Sequence, residues 1–81
     1  MAVPHFIWTD HALRRLGERG LTRERVAAAI RDGHPVRERN DGVADWRVDG
    51  GRFVVVYDHP VGDDYGAVRV VSVWRKRGPN R

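Results

Sequence analysis

Hydrophobic positions along this chain follow two different rhythms. Up to about residue 33 they recur every three or four residues, and beyond that they alternate or run together. Ala12, Leu13 and Leu16 form one apolar stripe of a first helix, with His11, Arg14 and Arg15 on the other side. Thr9 or Asp10 is suited to cap its start, and Gly17 or Gly20 to end it. A second helix follows from Thr22 as N-cap, with Glu24 in its first turn. Leu21 and Val26 make a hydrophobic staple, and Val26, Ala27 and Ile30 form the buried stripe. Gly33 ends this helix and Pro35 prevents its return.

The remaining rhythm is that of strands. Val36 to Asn40 reads as one, closed by the hairpin signal Asp41-Gly42. Val43 to Asp49 is the next, with Ala44, Trp46 and Val48 alternating against charged neighbours. Gly50-Gly51 turns the chain into Arg52 to Asp58, whose core Phe53-Val54-Val55-Val56-Tyr57 marks a central strand. A loop from His59 to Gly66 leads to the last strand, Ala67 to Lys76. Val3 to Thr9 reads as a short extended piece, and Arg77 to Arg81 as a frayed tail. The expected architecture is α+β, a single domain over residues 1–81: two N-terminal helices packed on a four-stranded antiparallel sheet. The face of the sheet away from the helices is expected to be concave and partly exposed.

Composition narrows the chemistry. With 81 residues there is room for one small core. The absence of cysteine excludes disulfides, thiolate metal sites and a cysteine nucleophile. No apolar run is long enough to span a bilayer, and Met1 to Trp8 is too short and polar for a signal peptide. There is no GxGxxG turn, P-loop or nucleophile elbow, so no nucleotide cofactor is expected. The histidines, His5, His11, His34 and His59, are not paired at a ligand spacing, so no metal is expected. Net charge is +4, and fourteen of fifteen basic residues are arginine, whose planar fork suits phosphate. The same bias also arises in GC-rich genomes.

Two constellations carry candidate chemistry. The first is His11 with Arg15 one helical turn away, a group that titrates near neutrality held beside fixed cations. The second is the last strand, where positions 70, 72, 74 and 76 share a face by strand periodicity. Ser72, Trp74 and Lys76 then form a row of hydroxyl, indole and ammonium, fit to hold a phosphate, stack a base and offset developing charge. Taken singly, Trp74 reads first as a core residue and Lys76 as a surface one; only the row together with His11 and Arg15 favours a site.

The stretch His11-Ala12-Leu13, Arg15 and Glu18-Arg19-Gly20 resembles an HALxRxxERG signature of a family of small bacterial domains of unknown function. The strands Val54-Val55-Val56-Tyr57 and Val71-Ser72-Val73-Trp74 match its layout. That family is similar to the barnase–EndoU–colicin–RelE ribonuclease toxin fold. The resemblance implies a metal-independent endoribonuclease that cleaves RNA by 2′-OH transesterification. It implies a cognate antitoxin or immunity protein as partner and a cytoplasmic site of action, with delivery as the C-terminal part of a secreted toxin as one route. The implied catalytic residues are His11, Arg15, Arg19 and Ser72; Arg14, Tyr57, Trp74 and Lys76 are expected to contact substrate. Relatives often carry Thr-x-Tyr where this chain has Ser72-x-Trp74, and an indole cannot exchange a proton as a phenol does. The alternative is therefore a non-catalytic module on the same fold that binds RNA or a protein partner.

Overall fold

The computed structural model describes residues 4–76 of the chain. The expected tail at 77–81, and Val3 at the start of the extended piece, lie outside the described residues. The elements are β1 (His5–Trp8), α1 (Asp10–Arg19), α2 (Arg23–Gly33), β2 (Glu38–Arg39), β3 (Trp46–Asp49), β4 (Phe53–Asp58) and β5 (Ala67–Arg75). A single 3₁₀ turn, His34–Val36, links α2 to β2.

Both helices begin and end as their local chemistry dictates. The Thr9 hydroxyl accepts from the Ala12 amide at 3.0 Å, and that of Thr22 from the Arg25 amide at 3.2 Å. Gly20 closes α1 in the left-handed conformation at φ 67°. Gly33 ends α2 for a different reason, close approach: a Cβ there would meet Val48 at 3.1 Å. On α1, Ala12 and Leu16 are buried but Leu13 is 41% exposed, so the apolar stripe is narrower than its three-residue pattern.

The sheet differs from expectation. It has five strands in the order β1-β5-β4-β3-β2, and it is mixed. The extended piece at the N-terminus is a true edge strand, paired parallel to β5 from His5 against Ala67 to Trp8 against Val70. Tight turns dictate antiparallel neighbours only for strands adjacent in sequence; β1 reaches β5 across the whole chain, and no turn constrains its direction. The other pairs are antiparallel. The Asp41-Gly42 signal does not form a two-residue hairpin either. β2 is only two residues long and β3 starts at Trp46, so residues 40–45 make a wide loop closed by Asn40 N–H to the Asp45 carbonyl at 2.9 Å.

One face of the sheet carries the core. Phe53, Val55, Tyr57, Val48, Val68, Val70 and Val73 pack against Ala12, Leu16, Val26 and Ile30. The register of β4 against β5 slips between Val56 and Tyr57, whose partners are Ser72 and Val70. Val71 is thus an extra residue, a β-bulge. The bulge moves Val70 onto the helix side with Val73, both fully buried, and leaves Ser72 and Trp74 facing away. Strict alternation put Val70 on the same face as Ser72; the bulge is why it is not. The opposite face is not bare: Val54 and Val56 are 4% and 1% exposed, and the 40–45 loop lies across it.

Candidate active-site groove

Where the bulge of β5 meets the start of α1, the open face forms a groove of about 640 Å³. Its floor is Val56, Val71 and Ser72. Thr9 and His11 form one wall, the loop from Asn40 to Val43 the other, and Trp74 one end. Three residues singled out in the sequence, His11, Ser72 and Trp74, therefore line one cavity although 61 residues separate His11 from Ser72.

Thr9 holds this geometry. Its hydroxyl donates to the carbonyls of Val70 and Val71 at 3.1 and 3.2 Å while accepting from the Ala12 amide. One side chain thus caps α1 and pins its first turn to the bulge, which brings His11 and Ser72 to the same groove. The loop wall is fixed separately. Asp58 accepts from the Asp45 amide through Oδ1 at 3.0 Å and from Arg69 through Oδ2 at 2.7 Å. The Asn40 side-chain amide donates from Nδ2 to the Ala44 carbonyl at 3.1 Å.

Arg15 lies beside His11 as the helical spacing predicts, with Nε 3.5 Å from His11 Nε2 and Nη1 3.0 Å from Glu18 Oε1. Arg14 is exposed on the solvent side of α1 and is not part of the groove wall. Arg19 stands two turns beyond His11, about 12 Å along the helix axis. Its carbonyl accepts from Arg75 at 2.9 Å, and its Nε is buried without a partner. Lys76 sits about 13 Å along the strand from Ser72 and pairs with Asp49 at 2.7 Å. The Lys76 hydrogen bond holds the Asp49 carboxyl below the usual carboxylate range. Tyr57, expected to touch substrate, is 0% exposed on the helix side, and its hydroxyl lies 2.8 Å from His34 Nδ1. The bond to His34 and the core packing leave it no access to the groove.

The pattern of residues did not point to Asp41. In the sequence it belongs to a turn signal, yet His11 and Asp41 are the ionisable side chains in the groove lining. Val43, 79% exposed and in the same lining as Trp74, occupies an ordinary strand position in the alternation pattern. Both were hidden because a wide loop, not a tight hairpin, carries them across the sheet. Among the described residues no three His, Cys, Asp or Glu side chains gather where they would hold a metal ion. No helix among them is long and apolar enough to cross a membrane.

No curated protein and no solved structure matches the chain. One family model does match, over residues 8–76, which takes in every element of the groove from Trp8 to the end of β5. The chain therefore belongs to the family described as Domain of unknown function (DUF4258).

Proposed function

We propose that the groove is the site of a small metal-independent endoribonuclease, with single-stranded RNA as substrate. The observation that carries this reading is the convergence of His11, Ser72 and Trp74 on one cavity, with Arg15 beside the imidazole. Trp74 and Val43 offer an apolar surface on which a base stacks. Ser72 on the floor offers a hydroxyl to a phosphate oxygen, and Arg15 a fixed charge to the phosphorane.

Transesterification needs one group to take a proton and another to give one. His11 and Asp41 are the two groups in the lining able to do so. The Asp41 carboxylate accepts the 2′-OH proton as that oxygen attacks phosphorus. The His11 imidazolium protonates the departing 5′-oxygen, leaving a 2′,3′-cyclic phosphate. This division assigns His11 the acid role and adds to the family resemblance a base from the loop.

The test is cleavage of labelled RNA by purified protein in EDTA. His11→Ala and Asp41→Asn are each expected to lower the rate about 100-fold or more, the scale of a lost acid or base. Cleavage that survives His11→Ala, or that EDTA abolishes, overturns the assignment. The presence of Asp41 among groups meant to hold phosphate favours one other reading, a non-catalytic RNA-binding module. Salt-sensitive RNA binding without cleavage by the wild type is the outcome that selects it.

A further inference from the structure

A second cavity, of about 520 Å³, opens on the helix side of the sheet, at the end of the molecule where α2 and the β4–β5 loop meet. Its floor is apolar, formed by Ile30 and Val68. His34 and His59 line it edge to face with ring centroids 4.8 Å apart. Tyr65 and Arg31 stand at its mouth, and Tyr65 is 75% exposed. None of these residues takes part in the groove around His11.

The hydrogen bonds assign the proton on each imidazole. Tyr57 is wholly buried, and His34 Nδ1 at 2.8 Å is its hydroxyl's hydrogen-bond partner among the described residues. A buried hydroxyl that fails to donate is costly, so the phenol donates and His34 Nδ1 accepts. Neutral His34 then bears its proton on Nε2. His59 Nε2 lies 3.0 Å from the Tyr65 carbonyl, which can only accept. His59 therefore donates from Nε2, and its neutral ring keeps a bare Nδ1. Adjoining imidazoles thus offer one N–H donor and one nitrogen acceptor, fixed by neighbours that leave neither ring free to switch tautomer.

We propose that this cavity is a binding site for a mononucleotide, distinct from the groove on the opposite face. A heterocyclic base carries donors and acceptors side by side on its edge, which matches the pair His34 Nε2–H and His59 Nδ1. Its faces suit the apolar floor, and the Tyr65 ring stacks on it from the mouth. Arg31, on the α2 turn above, takes the phosphate. A phosphate alone gains nothing from Ile30 and Val68, and a purely apolar ligand leaves both imidazole edges unpaired.

The experiment is a titration of the isotope-labelled full chain with adenosine and guanosine 5′-monophosphates, read on the ring nitrogens of His34 and His59. The matching nucleosides and inorganic phosphate serve as separate probes. The expected result is saturable shifts at both rings. Tyr65→Ala, an exposed change that leaves the fold intact, is expected to weaken nucleotide binding about tenfold or more. Arg31→Gln is expected to weaken the nucleotide but not the nucleoside. Shifts confined to the His11 groove overturn the proposal. So do shifts that phosphate alone reproduces, or an affinity unchanged by Tyr65→Ala. Repeating the titration with His11→Ala separates the two sites: loss of RNA cleavage leaves this binding in place.

Discussion

Tyr57 and His34 show how one buried hydroxyl commits its neighbour. Burial is the main cause that lowers the His34 pKa, followed by the Arg37 and His59 charges. Burial also pushes the Tyr57 phenol up to about 12. Protonating His34 puts a hydrogen on Nδ1 and strands the phenol proton. The folded chain therefore binds fewer protons than the unfolded one near neutrality, so stability rises with pH there. The contribution is complete above the unfolded value of about 6.5 and fades as pH falls through it toward the lower folded value. Thermal melts from pH 8 to pH 5 are expected to show a falling Tm below about pH 6.5, and a flatter profile in His34→Asn. An identical slope in the variant would remove His34 as the cause. Tyr57→Phe leaves the packing but deletes the bond and is expected to cost about 1 kcal/mol at pH 7.5. Trp46, by contrast, is held by Arg37 and Arg39 at 4.1 and 4.9 Å from its ring and by its indole N–H to the His59 carbonyl.

At the scale of elements, what the sequence made legible was local and what it concealed was not. Caps depend on residues three apart, so Thr9, Thr22 and Gly20 announce both helices directly. The Gly50-Gly51 turn is local too: Gly51 has φ 96°, and a Cβ on Gly50 would fall 2.6 Å from the Phe53 ring. Gly50→Ala is accordingly expected to destabilise by about 1–3 kcal/mol in chemical denaturation, the scale of an overpacked contact. The Val71 bulge depends on how β5 meets β4 across the His59–Gly66 loop, and the parallel β1–β5 pair on partners some sixty residues apart; nothing in the alternation of β5 signals either. Half of the candidate site was legible for the same reason. His11 and Arg15 share a helix, and Ser72 and Trp74 a strand, whereas Asp41 enters through a loop whose path only the folded sheet defines. Thr9 joins the two halves. Thr9→Val keeps the shape but removes the cap and both bonds to the bulge. It is expected to lower stability by about 1–2 kcal/mol and RNA cleavage by more than that loss of folded protein explains. Thr9→Ser, which keeps the hydroxyl, is expected to restore cleavage. Equal activity in the two variants would show that the cap does not position His11.

Across the whole molecule, charge and chemistry are separable because different residues carry them. Several cations are already committed: Arg69 to Asp58, Lys76 to Asp49 and Arg15 in part to Glu18. Such exposed pairs add little to stability, typically under about 1 kcal/mol, and they reduce the charge left for a polyanion. The count of fifteen basic residues therefore overstates what any one face presents. Beside the groove, the arginines near its His11 wall are Arg14 and Arg15. If RNA lies along that wall, each phosphate contact contributes about 0.7 to the slope of log affinity against log salt for single strands. Two contacts give a slope of roughly 1.4. Arg14→Ala is expected to lower the slope by about 0.7 and weaken binding evenly across sequences while leaving the cleavage rate at saturating RNA near wild type. His11→Ala is expected to do the reverse, leaving the slope unchanged as cleavage falls. Binding measured from 50 to 300 mM salt for wild type and both variants, with single-turnover cleavage beside it, checks the separation. A slope that stays flat in the wild type would move the groove from RNA to an uncharged partner, because no polyanion of this kind binds without releasing counterions.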